Sequence, residues 1–239
     1  MITKEKTNSN KKTARVVGVL FITATVTYML GSGFLEPILN APDYLVNVSA
    51  NENQVLIGML LELVNCVAVV GIPVMLFPIL KKHNEALALG YVVFRIIESV
   101  ILIVGSISLL SLLSLSQEFV KAGAPDASHF LTLGTSLLAA RDWTILLGVN
   151  IVFPLDALIL NYILYRSKLI PRWLSGWGLI GATLLLARGA SLLAIFDFNQ
   201  FILLALPIWV QEMVFAVWLI VKGFNSSAIV SESAKTDMN

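Results

Sequence analysis

The feature that most constrains this chain is a series of six long apolar stretches, which together fill most of its 239 residues. A helix that crosses the hydrocarbon core of a bilayer needs about 20 mostly apolar residues. Hydrophobic residues make up 57% of the chain and charged residues 13%, and a soluble domain of this length cannot bury that much apolar surface. The sequence therefore predicts an all-α, polytopic membrane protein, a bundle of six transmembrane helices with spans near 16–34, 55–80, 88–115, 143–165, 173–196 and 203–221.

Lysine and arginine are distributed unequally between the predicted connections. They concentrate in the two tails and in the second and fourth connections, whereas the opposite side carries only Lys121 and Arg141 among a larger number of acidic residues. Because positively charged connections stay in the cytoplasm, both termini are predicted to be cytoplasmic. Residues 1–13 and 225–239 are polar and are predicted to form disordered cytoplasmic tails around a membrane domain of residues 14–224.

Two segments depart from a plain apolar helix. The connection 117–142 is the longest, and Asp126 is placed to cap an amphipathic helix within it. We expect this helix to lie on the outer leaflet surface, with a re-entrant or occluding segment as the alternative. In the fourth span, Pro154 cannot donate a hydrogen bond to the carbonyl of Asn150, which predicts a kink two residues before Asp156.

Six charged residues lie inside the predicted spans. A charge at the bilayer centre costs about 2.5–3.5 kcal/mol on insertion scales, so each of these residues must be paired, hydrated or functional. The rise of a helix places them in two layers. The central polar core is Arg95, Glu98, Asp156 and Glu212, and the outer-half pair is Glu62 and Arg188.

The spacing of these charges predicts their contacts. Arg95 and Glu98 share a helix face because they are three residues apart. We expect some of Glu98, Asp156 and Glu212 to surround Arg95, and Glu62 to meet Arg188. Four carboxylates and two arginines would leave a charge of −2 if all were ionised. A low-dielectric interior does not hold that charge, so one or two of the central acids are predicted to hold a proton or bind a cation.

A proton-exchanging acid suits a small permease-like or ion/proton-handling protein, which is the leading hypothesis. The same acid suits a structural or regulatory membrane subunit whose buried charges only fix helix packing. An intramembrane enzyme acting on lipid is the third hypothesis. These three alternatives remain open at the level of the sequence.

The sequence offers little for catalysis or metal binding. His83 and His129 lie in connections on opposite sides of the membrane, and no known catalytic or phosphate-binding motif is present. The serines of the third span have no histidine at their depth to act as a base. We therefore predict a non-enzymatic protein without metal or other cofactor. Its predicted partners are the lipid bilayer and a small solute, an ion or a proton, but no nucleic acid, and no oligomeric state is predicted.

Several local patterns occur together in an order that resembles a known family. They are Lys11-Lys12-Thr13-Ala14-Arg15 with Gly18, Phe94-Arg95 with Glu98, Leu164-Tyr165-Arg166-Ser167 with Pro171-Arg172, and Glu212 followed by Trp218-Leu219 and Val221-Lys222-Gly223. From Lys11 to Gly223 the chain resembles a bacterial family of six-span membrane proteins catalogued as domain of unknown function 4386. The resemblance implies a six-span, multi-pass protein of the bacterial cytoplasmic membrane, and it implies no activity. It also implies histidines around the positions of Arg141 and Asp156, where this chain departs from the family.

Overall fold

The computed structural model describes residues 2–123, 127–192 and 202–225, and within these ranges all regular secondary structure is helical. The all-α prediction is therefore confirmed for the described residues. In chain order the elements are α1 (Ile2–Leu39), α2 (Tyr44–Ala50), α3 (Glu52–Leu80), α4 (Glu85–Lys121), α5 (Ala127–Ile145), a π-helical segment (Leu146–Val152), α6 (Phe153–Ser167), α7 (Arg172–Leu192), a 3₁₀ turn (Ile202–Leu204) and α8 (Leu206–Val221).

Four helical stretches in the described part of the chain are long and apolar enough to cross a membrane. They are Ser9–Leu39, Glu52–Leu80, Glu85–Lys121 and Ser128–Ser167, and α8 is a shorter apolar helix. Many large apolar side chains point away from the protein interior, including Val67 at 74% exposure and Ile180 at 63%. Long apolar helices with apolar outer surfaces indicate a membrane protein.

The helices pack in a closed ring that follows their order along the chain. Helix α1 packs against α3 and α8, α4 packs against α3, α5 and α6, and α7 packs against α6 and α8. One apolar cluster, including Phe21, Ile72 and Leu164, fills the end near the chain termini. A second, including Leu35 and Leu109, fills the opposite end. The interior charged residues of these helices, Glu62 on α3 and Arg95 and Glu98 on α4, lie between these two clusters.

The N-terminal segment differs from the prediction. Helix α1 begins at Ile2, whereas the sequence predicts a disordered tail through residue 13. Residues 2–13 contain no glycine or proline that would stop a helix, and their lysines are good helix formers, so the helix continues backward from the apolar span. Residues 226–239, which make up nearly all of the predicted C-terminal tail, lie outside the described residues.

The connection 117–142 also differs from the prediction. It does contain the expected helix, α5, but α5 continues through the π-helical segment into α6 and packs along α4, so it is not a separate surface helix. The continuous helical stretch Ser128–Ser167, which runs from α5 through α6, has 40 residues, or about 60 Å of helix, which is twice the hydrocarbon thickness. Hydropathy places the start of the fourth span at Trp143, yet no glycine or proline in residues 135–147 interrupts the helix. Asp126, the predicted cap, lies outside the described residues.

The π-helical segment marks the place where the sequence predicts a kink. The backbone N–H of Phe153 donates to the carbonyl of Gly148, five residues earlier, and Pro154 follows directly. Proline lacks the N–H that would continue regular α-helical bonding, and a wider turn accommodates the loss without breaking the helix. Single π turns inside α-helices frequently occur at functional sites.

Candidate functional site

Arg95 lies at the centre of a charged cluster that is built by three helices. Its Nη1 is 3.3 Å from Glu98 Oε2 on α4. Its Nε is 2.9 Å from Asp156 Oδ1 on α6, and its Nη2 is 3.4 Å from Glu212 Oε1 on α8. The structure thus brings together all four residues of the predicted central layer, and we call them the Arg95 cluster.

The Arg95 cluster is shielded from solvent. The side chain of Arg95 is 4% exposed and that of Asp156 is 0% exposed, and the side chain of Glu212 is the most open at 14%. The guanidinium carbon of Arg95 lies 5.0 Å from the centre of the Phe153 ring and 5.7 Å from that of Tyr91. These cation–π contacts add to the attraction that the three carboxyl groups exert on the guanidinium.

Asp156 is held in an unusual way for a buried carboxyl group. In the described part of the chain, neither of its oxygens accepts a hydrogen bond, and the Arg95 Nε–H is not directed at the nearby Oδ1. The carboxyl groups of Asp156 and Glu98 lie within hydrogen-bonding reach of each other. Two neighbouring carboxylates repel each other in a low dielectric, whereas a proton on one of them supplies the missing donor.

Glu62 pairs with Arg141, and the prediction that it meets Arg188 is wrong. Arg141 Nη1 donates to Glu62 Oε2 at 3.1 Å, and Arg141 Nη2 donates to Glu62 Oε1, so the contact is bidentate. The hydroxyl of Ser106 donates to Glu62 Oε2 at 3.4 Å. Because α5 is continuous with α6, Arg141 lies inside the bundle instead of in an exposed connection. We call Glu62 and Arg141 the outer pair.

Arg188 contacts the π-helical segment instead. Its Nη1 donates to Asn150 Oδ1. Asn150 is also the residue whose backbone carbonyl receives no hydrogen bond from residue 154, because Pro154 has no N–H. That carbonyl faces Gly189 so closely that a Cβ at residue 189 would clash with it. The loosened backbone around Asn150 is therefore packed against a glycine of α7.

A cavity of about 70 Å³ adjoins the Arg95 cluster. Arg95, Glu98 and Glu212 lie in its wall, whereas Asp156 is fully buried. A space of about 10–15 Å³ holds one water molecule when measured in this way, so the cavity has room for several. Two of the three carboxyl groups thus face a space large enough for water.

A second, smaller cavity of about 10 Å³ adjoins the outer pair. Tyr28, Asn65 and Leu102 line both cavities, which places the two cavities side by side. Along α4, Glu98 belongs to the Arg95 cluster and Ser106 contacts the outer pair. Ser106 follows Glu98 by eight positions, which corresponds to about 12 Å of helix. Polar side chains and cavities therefore connect the two charged layers over a short distance.

A separate polar junction, without formal charge, lies beside Glu212. Gln211 Nε2 donates to Asn161 Oδ1 at 3.3 Å and to the Leu174 carbonyl at 3.2 Å. These bonds join α8 to α6 and α7. They fix the position of α8, which presents Glu212 to Arg95.

Some site residues are absent from the sequence prediction. The sequence analysis places Arg141 in a connection, because two adjacent charged residues, Arg141 and Asp142, interrupt the apolar stretch. The absence of glycine and proline around them is the signal that the helix continues. The α1 wall of the larger cavity is missed as well. Its members Phe21, Ala24, Thr25 and Tyr28 follow the spacing of one helix face, and that spacing is the signal for them.

A family model described as a domain of unknown function, DUF4386, matches residues 16–223. The chain belongs to the DUF4386 family. The matched range contains the whole Arg95 cluster and the outer pair. No curated protein and no solved structure matches the chain. The DUF4386 description assigns no activity, so a function can be inferred only from the geometry of the charged cluster.

Proposed function

We propose that this protein is a proton-handling, permease-like membrane protein in which Glu98 and Glu212 exchange a proton with the adjoining cavity. The observation that carries the proposal is the excess of carboxyl groups around Arg95 at the wall of that cavity. Three carboxyl groups and one guanidinium have a formal charge of −2 when all are ionised. Burial of that charge is unfavourable, and binding a proton reduces it.

The proposal includes a six-span topology in the bacterial cytoplasmic membrane, with both termini in the cytoplasm. The closed ring of helices supports six spans, because α7 and α8 complete it. Helix α7 has 21 residues, or about 31 Å, which matches the hydrocarbon thickness of about 30 Å. Helix α8 is shorter, with 16 residues. The bias of lysine and arginine toward the tails sets the orientation.

A proton suits the site better than a metal cation. The guanidinium of Arg95 already occupies the position between the three carboxyl groups that a cation would take. A second positive ion at that position would be repelled at short range. A proton needs no such space, and the contact between Asp156 and Glu98 already provides two acceptors for it.

The geometry supports a division of roles within the cluster. Asp156 is closed off from solvent and faces Arg95 Nε, so it positions the guanidinium. Glu212 is the most open acid and belongs to a different helix from Arg95. A proton on Glu212 weakens its attraction to Arg95, and this loosens the contact of α8 with α4. In this way protonation is coupled to helix movement, as a proton-coupled carrier requires.

A structural or regulatory membrane subunit is the second candidate, and one observation favours it. Arg95 ties α4 to α6 and α8, and Glu62 ties α3 to Arg141 on α5. Such contacts fix helix packing without any transport. The third hypothesis, a lipid-acting enzyme, has less support, because the hydroxyls of Ser108, Ser111 and Ser114 donate to carbonyls four residues earlier.

The test is proton flux in reconstituted vesicles. A pH gradient is imposed, a panel of cations and small solutes is added, and the internal pH is followed with a dye. The wild type should dissipate the gradient with at least one member of the panel, and Glu212→Gln should not. Glu118→Gln is the control, because Glu118 is an exposed acid whose side chain is 67% accessible. Normal folding of Glu212→Gln must be shown by its melting transition.

Two results would count against the proposal. The first is an identical flux in the wild type and in Glu212→Gln. The second is a Glu212→Gln variant that unfolds or fails to insert while the wild type shows no flux with any compound. That second result would favour the structural subunit.

A further inference from the structure

The proposed function does not involve a recess at the end of the bundle where α6, α7 and α8 meet. It has a volume of about 420 Å³, within the range of about 300–1,000 Å³ that is typical of ligand pockets. Its wall is formed by the α6–α7 connection and by the end of α8, through Lys168, Leu169, Ile170, Pro171, Arg172, Trp218, Lys222, Gly223, Phe224 and Asn225. We call it the basic recess.

The basic recess carries three exposed cations and no acidic residue in its wall. Lys168, Arg172 and Lys222 line it, and in the described part of the chain none of the three forms an ion pair. A fourth cation, Lys11 of α1, is close by, because its Cγ lies 3.9 Å from the position of a Cβ on Gly223. Cations that converge on one recess repel each other, and a bound anion relieves this repulsion.

The chain holds the recess in a defined shape. The backbone N–H of Asn225 donates to the carbonyl of Leu169 at 2.8 Å, which ties the end of α8 to the α6–α7 connection. Lys168 adopts a left-handed backbone conformation with φ of 57°, and this turns the chain at the end of α6. Leu169 and Ile170 are 0% and 2% exposed, so the floor of the recess is anchored in the apolar interior.

Aromatic side chains place the recess at the level of the membrane interface. Trp218 forms part of its wall and packs edge-on against Trp173, with ring centres 6.4 Å apart. Trp173 is 57% exposed, and Arg172 lies over the ring of Tyr165 at 5.2 Å. Tryptophan and tyrosine collect at the headgroup region of a bilayer.

We infer that the basic recess binds the phosphate-bearing headgroup of an anionic phospholipid. The cations at its rim match the phosphate, and the apolar floor and Trp218 match the first part of the acyl chains. Basic pockets between helices at a membrane surface recognise anionic headgroups in this way. A free phosphate in solution would use the same cations, but it would gain nothing from the apolar wall.

The test compares lipids with matched acyl chains. Purified full-length protein in a neutral detergent is titrated with phosphatidylglycerol, with phosphatidylcholine and with inorganic phosphate, and binding is followed by native mass spectrometry and by the melting temperature. We expect the affinity for phosphatidylglycerol to be at least about tenfold higher than for phosphatidylcholine. This preference should disappear in the triple variant Lys168→Gln, Arg172→Gln, Lys222→Gln.

The control variant removes the same charge elsewhere. Arg15→Gln, Lys81→Gln and Arg166→Gln change three exposed cations that do not line the recess, so this triple variant should keep the preference. A recess variant with Lys168→Arg and Lys222→Arg retains the charge and should keep it as well. Because this rescue variant alters two of the same three positions and leaves the third as arginine, it separates loss of the site from loss of folding.

Three outcomes would overturn the inference. One is a wild-type protein that does not distinguish phosphatidylglycerol from phosphatidylcholine. Another is an equal loss of binding in the recess variant and in the control variant, which would show a general attraction of the surface for anionic lipid. The third is inorganic phosphate that binds as tightly as the lipid, which would identify a soluble anion as the ligand.

Discussion

In the outer layer Glu62 forms an ion pair with one arginine of the described residues, Arg141, whereas in the central layer Arg95 is shared by Glu98, Asp156 and Glu212. Both arrangements bury charge between the same two apolar clusters. The outer pair is balanced, and its bidentate contact satisfies both partners. The Arg95 cluster has more acid than base, and it becomes balanced only when protons bind. The ratio of acidic to basic groups, more than their burial, therefore separates a packing contact from a site that can exchange protons.

The largest expected effect comes from removing each arginine. Arg95→Ala leaves three carboxyl groups without a cation, and removing one partner of a buried ion pair costs about 3–5 kcal/mol. Arg141→Ala leaves one carboxylate, which is 13% exposed and still accepts from Ser106, so its cost should be smaller. Unfolding in detergent measures both variants. Equal destabilisation would remove the distinction between the two layers.

Neutralising one acid in each layer should have unequal effects. Glu62→Gln leaves Arg141 without a carboxylate and should lower the free energy of unfolding by about 1–3 kcal/mol. Glu212→Gln removes a charge from a cluster that has too many, so its stability should stay within about 1 kcal/mol of the wild type. Denaturation at neutral pH measures the free energy of unfolding of both variants. A larger loss in Glu212→Gln than in Glu62→Gln would show that the cluster is fully ionised and needs all three carboxylates.

The π-helical segment joins the two layers, because it lies between Arg141 and Asp156 in one continuous helix. Gly189→Ala would push a methyl group into the Asn150 carbonyl, and such overpacking costs about 1–3 kcal/mol. Gly176→Ala is the matched control on the same helix, because its nearest neighbour would be 4.0 Å away. Melting temperatures should fall only for Gly189→Ala, and a similar fall in both would argue against a tight contact at the π-helical segment.

The smallest effect is expected outside the bundle interior. Glu118 and Lys121 form an exposed pair with side chains 67% and 71% accessible. Surface pairs contribute about 0–1 kcal/mol, so Glu118→Gln should unfold like the wild type. A loss of stability comparable to that of Glu62→Gln would show that charge burial does not set the scale of these effects.

The membership of the Arg95 cluster follows from the sequence because its signals are local. The spacing of Arg95 and Glu98 places them on one face, and the cost of charge in hydrocarbon turns Asp156 and Glu212 toward the same interior. The irregular helix at Pro154 also follows from the sequence, because proline lacks the backbone N–H that would bond to the carbonyl four residues earlier.

The partner of Glu62 does not follow from the sequence. Hydropathy treats Arg141 and Asp142 as the end of a span, whereas backbone hydrogen bonding continues through them into α5. Arg188 lies at a suitable depth for Glu62, yet depth alone does not report the rotation of a helix. That rotation depends on close contacts such as the one between Gly189 and the Asn150 carbonyl, which a single sequence does not reveal.

The central claim is that the Arg95 cluster holds at least one proton at neutral pH, and infrared spectroscopy tests it directly. The wild type at pH 7 should show the carbonyl stretch of a protonated carboxylic acid in a dry environment. The double variant Glu98→Gln, Glu212→Gln leaves Arg95 with Asp156 alone, so it should lose this band, whereas Glu62→Gln should keep it. A wild-type spectrum without the band, or a band that persists in the double variant, would contradict the account.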